Sequence, residues 1–167
     1  WWDERITSGL ASYWLYQHLG NLSPDDLDDD PVWPKVRDAG DATRVLREFA
    51  LRADQEIEGT RWSYKRDFGG TRLVVIDSRC GRLLEGDRRE MIDDDEFAWV
   101  EEQATGDFDH LLLATSLPFA LAPAIHHLEE WNEAVAGGAW GRPLALVGEK
   151  IRQGIDLEHW AAFKDSF

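Results

Sequence analysis

Cysteine occurs once in this 167-residue chain, at Cys80, so no disulfide can close within it and the redox compartment stays open. No apolar run approaches the ~20 residues that a helix needs to span a bilayer, and no internal repeat argues for a solenoid or propeller. Basic residues are scarce. Against 33 Asp and Glu there are 18 Lys and Arg, and a net charge of −15 opposes polyanions at long range, so nucleic acid is not an expected partner. Much of that excess sits in Asp25-Asp26 with Asp28-Asp29-Asp30 and in Asp93-Asp94-Asp95-Glu96. Neither run has the glycine and terminal glutamate spacing of an EF-hand loop, so both read as solvated faces and helix starts.

The length suits one domain with a single core. There is no initiating Met, Met91 being the only one, and both ends are aromatic-rich: Trp1-Trp2 opens the chain and Phe163 and Phe167 close it. These ends predict a fragment, one incomplete domain over 1–167, helical over 1–60 and carrying strands with flanking helices over 61–167.

Apolar spacing predicts an amphipathic helix from Asp3 to Leu19 with Ile6, Leu10, Tyr13, Trp14 and Gln17 on its inner stripe, ended by Gly20-Asn21. Ser23-Pro24 reads as an N-cap and first helical position. Pro31 and Pro34 predict an extended link around Trp33. A second helix from Asp41, its expected cap, to about Glu56 places Val45, Leu46, Phe49, Ala50, Ala53 and Ile57 on one side. Alternation over 61–68 and the pair Gly69-Gly70 predict a β-hairpin into a strand from Thr71. A third helix starts within Asp93–Asp95, whose carboxylates suit the positive end of a helix dipole, and packs through Phe97, Val100 and Ala104. His110–Thr115 reads as a second apolar strand, about 124–136 as a helix stopped by Gly137-Gly138, and about 157–163 as a last helix. Nine tryptophans predict a thick aromatic core, with Trp14 and Trp99 at amphipathic helix positions.

Leu73-Val74-Val75-Ile76 is a continuous aliphatic run, the pattern of a strand covered on both faces. It delivers Asp77, Arg79, Cys80 and Arg82 together, and in layered α/β proteins ligands bind at the rim beyond strand ends. A guanidinium holds a phosphate oxygen pair in a way lysine cannot match, so Asp77, Arg79 and Arg82 are the candidate substrate-binding residues. The competing structural role is an ion pair of Arg79 with Asp77 or the Asp93 run. Cys80, flanked by arginine, could be a thiolate ligand or nucleophile, but a lone cysteine fits better as a small buried filler. His126 and His127 point ~100° apart on a helix, so only one can face a site. Spacing pairs His126 with Glu130 at four residues and His127 with Glu130 at three, suited either to proton transfer or to a surface pair. His18, at a helix end, reads as a dipole partner.

The segment Asp67-Phe68-Gly69 through Arg82, with Glu96, Trp99 and Val100 following, resembles the middle of the PhoD-like (alkaline phosphatase D-like) metallophosphatases. Three further segments share the resemblance, Ser12–Pro24, Leu112–Phe119 and His126–Ala134, so it covers most of the chain. It implies an α/β fold, helix-rich, part of a two-sheet metallophosphoesterase-like sandwich. It implies a parent enzyme, a hydrolase of small phosphate esters, in which the arginine of the post-strand motif, here Arg79, lies close to a metal-phosphate centre. Arg79 and His126 are then the expected catalytic residues, and Ca, Fe, Mn or Zn ions the expected cofactors. The family's metal motifs, Asp-x-His, Asp-Asp-His-Asp and Gly-Asp-Val-His, do not occur here, and only Asp77 and Cys80 remain as ligand candidates. The metals are therefore expected only in a full-length protein, and this chain is expected to be inert alone. Two other readings stay open: an acidic helical module that binds a protein through its Trp-bearing first helix, and a pseudoenzyme.

Overall fold

The computed structural model describes residues 2–56, 60–83, 90–155 and 159–163. The protein is mixed α/β and helix-rich, with one three-stranded mixed sheet among the described residues, in the order β1-β2-β3. It divides into two compact units, residues 1–76 with 95–114, and residues 77–94 with 115–167.

In the first unit, α1 (Trp2–Tyr13) runs into a π-helical turn (Trp14–His18) and the short α2 (Leu19–Asn21). The Leu19 N–H reaches the Trp14 carbonyl, an i→i+5 bond. This wider turn delays the helix by about one residue. Trp14 and His18, four residues apart, face inward on the side already taken by Thr7, while Tyr13 and Gln17, expected on the inner stripe, are exposed. The chain next forms α3 (Pro24–Asp29), where the Ser23 hydroxyl accepts from the Asp26 N–H and the Asp26 carboxylate accepts from the Ser23 N–H, a reciprocal capping box.

The extended link expected around Trp33 is instead α4 (Trp33–Asp38). Asp30 Oδ1 accepts from the N–H groups of Val32 and Trp33 at 2.8 and 2.6 Å, and Pro34 falls in the first turn, where its missing donor does no harm. α5 (Thr43–Gln55) follows, with Asp41 Oδ1 accepting from the Thr43 N–H. Ile57, assigned to this helix from sequence, lies outside the described residues. Phe49, Ala50 and Ala53 of α5 close on Trp14, Val32 and Trp62 to form the core of this unit. Phe49 and Trp62 meet edge to face at 5.8 Å.

Gly69, at φ +61°, reverses the chain between β1 (Tyr64–Phe68) and β2 (Thr71–Ile76), paired antiparallel with Phe68 opposite Thr71. Val74 is sealed, and its β2 neighbours are half-buried. α6 (Asp94–Gln103) does not follow the expected pattern. Phe97 is exposed and Glu96 is buried, because Glu96 Oε1 accepts from the buried Ser63 N–H at 3.3 Å. A carboxylate read as a solvated face therefore ties the helix to the start of the hairpin. β3 (His110–Thr115) adds to the sheet, and Leu112 and Leu113 remain exposed on it.

The second unit holds α7 (Pro123–Ala136), α8 (Arg142–Ile155) and a 3₁₀ turn at Trp160–Ala162. α7 stops at Gly137, as its Gly-Gly pair predicts. α8 was not legible in the sequence. Gly148 within it sits against Val135 of α7, where a Cβ would meet the Val135 side chain at 3.0 Å, so the glycine serves close helix contact. The last expected helix reduces to the 3₁₀ turn, with 157–158 outside the described residues. Trp160 and Phe163 are buried there, whereas Trp131 and Trp140, 5.8 Å apart, stay exposed. Tryptophan is thus partly core and partly surface. Among the described residues, no helix is long and apolar enough to cross a membrane.

Candidate functional site

The segment after β2 folds back on itself because Asp77 accepts from the backbone N–H groups of Arg79 and Cys80, at 2.9 and 3.1 Å. This is an Asx-type turn. It spends the Asp77 carboxylate on backbone donors. The turn carries Arg79 outward, and it also leaves Cys80 exposed, so the expected buried filler is a surface thiol.

Arg79 is exposed, and among the described residues it makes no ion pair with Asp77, the Asp93 run or any other carboxylate. Its Nε donates to Ser116 Oγ at 3.3 Å. Ser116 Oγ lies 2.9 Å from Ser78 Oγ, Thr115 Oγ1 donates to Ser78 Oγ at 2.9 Å, and Trp160 Nε1 donates to Thr115 Oγ1 at 3.2 Å. Four residues from three stretches of sequence thus form one chain of hydrogen bonds that ends on the guanidinium. Ser78 is fully buried, which anchors the chain on rigid ground. An Arg held at Nε keeps its two terminal nitrogens for an outside acceptor, and that fork matches a carboxylate or phosphate edge.

Beside this chain in sequence, His159 Nδ1 lies 2.6 Å from Glu129 Oε1, and the Glu129 side chain is 0% exposed. Glu129 Oε2 is sealed without a partner among the described residues. His126 stands one turn earlier on α7. Its Nε2 is 3.4 Å from Glu130 Oε1, while His127 Nδ1 is 3.1 Å from Glu130 Oε2. Both spacings anticipated from sequence are therefore realised on one carboxylate. Hydrogen bonding to His127, with the nearby imidazoles, holds the Glu130 carboxyl below its ordinary value. No hydrogen bond links His126 to Arg79 among the described residues, where the Arg79 side chain bonds Ser116. Arg82 is half-buried and engaged elsewhere.

Sequence reasoning missed Ser116, Thr115, Trp160, Glu129 and His159. A signal for the first two exists: both apolar strands end in hydroxyls, Ile76-Asp77-Ser78 and Ala114-Thr115-Ser116, and strands that pair side by side bring such ends together.

A metal centre does not fit what is here. Among the described residues no group of three His, Cys, Asp or Glu is placed to hold an ion, and Asp77, the better ligand candidate, is turned toward backbone N–H groups. Compared with protein-family models, with curated proteins and with solved structures, the chain matches none.

Proposed function

We propose that this chain is a segment of a metal-dependent phosphoesterase and forms the phosphate-facing rim of that enzyme. In this reading the mixed sheet belongs to a two-sheet α/β sandwich, and Ca, Fe, Mn or Zn ions would be held by residues outside the chain. One observation carries the proposal: Arg79 projects from a strand end with Nε fixed by Ser116 and no carboxylate against it among the described residues. Had the arginine served only to close the loop, a carboxylate partner would occupy its fork. Arg79 grips two oxygens of a phosphate ester, and the buried Ser78 hydroxyl, with the half-buried Thr115 beside it, keeps the guanidinium from swinging as charge builds on those oxygens. His126, ordered by Glu130, is the proposed proton donor to the departing group. The resemblance to PhoD-like enzymes supports the same assignment.

The test is titration of the purified chain with inorganic phosphate, followed by the Arg79 Nε–H resonance, alongside turnover assays on nitrophenyl phosphate mono- and diesters with Ca²⁺, Mn²⁺, Fe³⁺ or Zn²⁺ added. Phosphate should shift that resonance, Arg79→Ala should weaken binding about tenfold or more, and Arg79→Lys should recover only part. Turnover should be absent. Unchanged phosphate affinity in Arg79→Ala would overturn the assignment of Arg79, and turnover by the chain alone would overturn the placement of the metal ligands outside it.

A further inference from the structure

The hairpin of α7 and α8 covers one of its faces and leaves the other open. On α7, Glu129 turns to His159, while Asn132 and Val135 turn to α8, Asn132 Nδ2 donating to the Gly148 carbonyl at 3.1 Å and Val135 packing where a Gly148 Cβ would stand. Residues advance about 100° around a helix, so Leu128 and Trp131 fall beside Val135 on the side away from Glu129. On α8 the same rotation gathers Leu144, Val147 and Ile151 to one side of Gly148. Because the two helices run antiparallel, that is also the side to which Trp131 points. All five are exposed, and so is Trp140 in the connection, whose ring meets Trp131 edge to face at 5.8 Å. Large apolar side chains scattered singly need no partner, but six gathered on one face of a hairpin mark an association surface.

The charges at its edges select the occupant. Asn132 stands opposite Gly148, Glu130 lies two residues before the one and Lys150 two residues after the other, so Glu130 and Lys150 share one height on the outer edges of α7 and α8. Lys150 is exposed and makes no hydrogen bond or ion pair among the described residues, although the chain carries a net charge of −15. Glu130 holds the two histidines and still keeps 53% of its side-chain exposure. A twofold axis running along the hairpin lays α7 of one copy over α8 of the other. It sets Glu130 of each copy beside Lys150 of the other, twice over, because the axis preserves height. It also sets Trp131 midway in height between Val147 and Ile151 of the other copy, a knob over the gap between residues four apart. An acid on one edge and a free cation on the other at the same level make the face complementary to itself.

We propose that this face binds a second copy of the chain, two α7–α8 hairpins closing into a four-helix bundle about that axis, with Trp131 at its centre and Glu130–Lys150 pairs along its rims. Burial of Trp131 and its apolar neighbours supplies most of the affinity, and the charged rims fix which helix lies over which. The interface lies within the second unit and does not depend on phosphate binding at Arg79.

The experiment is sedimentation equilibrium of the purified chain over a wide range of concentration at neutral pH, with circular dichroism to confirm that each variant keeps its helices. A monomer–dimer equilibrium is expected, with no larger species, since a twofold interface closes on itself. Trp131→Asp alters a side chain already exposed in the single copy and should raise the dissociation constant about thirtyfold or more. Glu130→Lys and Lys150→Glu each place like charges together at both rims and should weaken the dimer about tenfold. Both exchanges in one chain restore opposite charges across the interface and should return the affinity to near wild type, a rescue that a role within the single copy does not produce. A chain that stays monomeric and so leaves the face to a different partner, oligomers larger than a dimer, a Trp131→Asp variant that dimerises like wild type, or a double exchange no tighter than the single ones would each overturn the proposal.

Discussion

Arg72 joins three parts of the first unit, and replacing it by methionine tests whether the hairpin depends on that junction. Its Nε and Nη2 meet the two Asp67 oxygens at 2.7 and 3.0 Å, a bidentate pair across the hairpin turn. Its Nη1 donates to the carbonyl of Gln103, the last residue of α6, at 3.1 Å, and its guanidinium lies 5.1 Å from the Phe108 ring centroid. Asp67 keeps 48% of its side-chain exposure, so the carboxylate pair contributes only about 0.5–1 kcal/mol after screening. The bond to the helix-end carbonyl adds about 1 kcal/mol, with a few tenths more from the negative end of the α6 dipole. The Arg72 side chain is 17% exposed, and methionine preserves much of its aliphatic stem, so the loss is electrostatic rather than a cavity. Arg72→Met should therefore lose roughly 2 kcal/mol and Arg72→Lys about half of that, a lysine being unable to span Asp67 and Gln103 together. Urea unfolding supplies the magnitude, and hydrogen exchange at the β1 and β2 amides assigns it to the first unit. A loss below about 0.5 kcal/mol in Arg72→Met, or a lysine variant as stable as wild type, would refute the junction.

Two further outcomes follow from buried titratable groups. Because His18 is depressed below 6.5, mainly by burial, the unfolded chain takes up its proton first on acidification. The His18 contribution is thus full above about pH 6.5 and declines as pH falls toward the folded-state value. The urea midpoint of wild type should drop between pH 7 and 5.5 more than that of His18→Phe, and parallel profiles would contradict the burial. His159→Ala strands the Glu129 carboxylate at zero exposure and should cost about 3 kcal/mol or more. Adding Glu129→Met should recover most of that loss, since removing both partners avoids the stranded charge. A single variant of wild-type stability, or a double variant no better than the single, would show that the pair is not coupled.

Features set by neighbours within a few residues were legible in the sequence. The Ser23-Pro24 cap, the α5 stripe through Phe49, Ala50 and Ala53, the reversal at Gly69, the stop at Gly137 and the extents of β2 and β3 all follow from side-chain periodicity and backbone preference. The pairings of Glu130 with His126 and His127 were legible for the same reason, since helical spacing alone fixes them. Small errors arose where a local rule met a competitor: Asp30 capping overrode the two prolines at α4, and the buried face of the first helix runs through Thr7, Trp14 and His18 in place of Tyr13 and Gln17.

Only the tertiary structure decided which side chains share a site. Ser116 meets Ser78 across 38 residues, Trp160 meets Thr115 across 45, and His159 meets Glu129 across 30. No local periodicity encodes such distances, because they depend on which strands pair and which helix covers them. The sequence by itself placed Arg79 at the end of an apolar strand; packing determined that hydroxyls rather than a carboxylate receive it, and that His18 lines a cavity rather than capping a helix end.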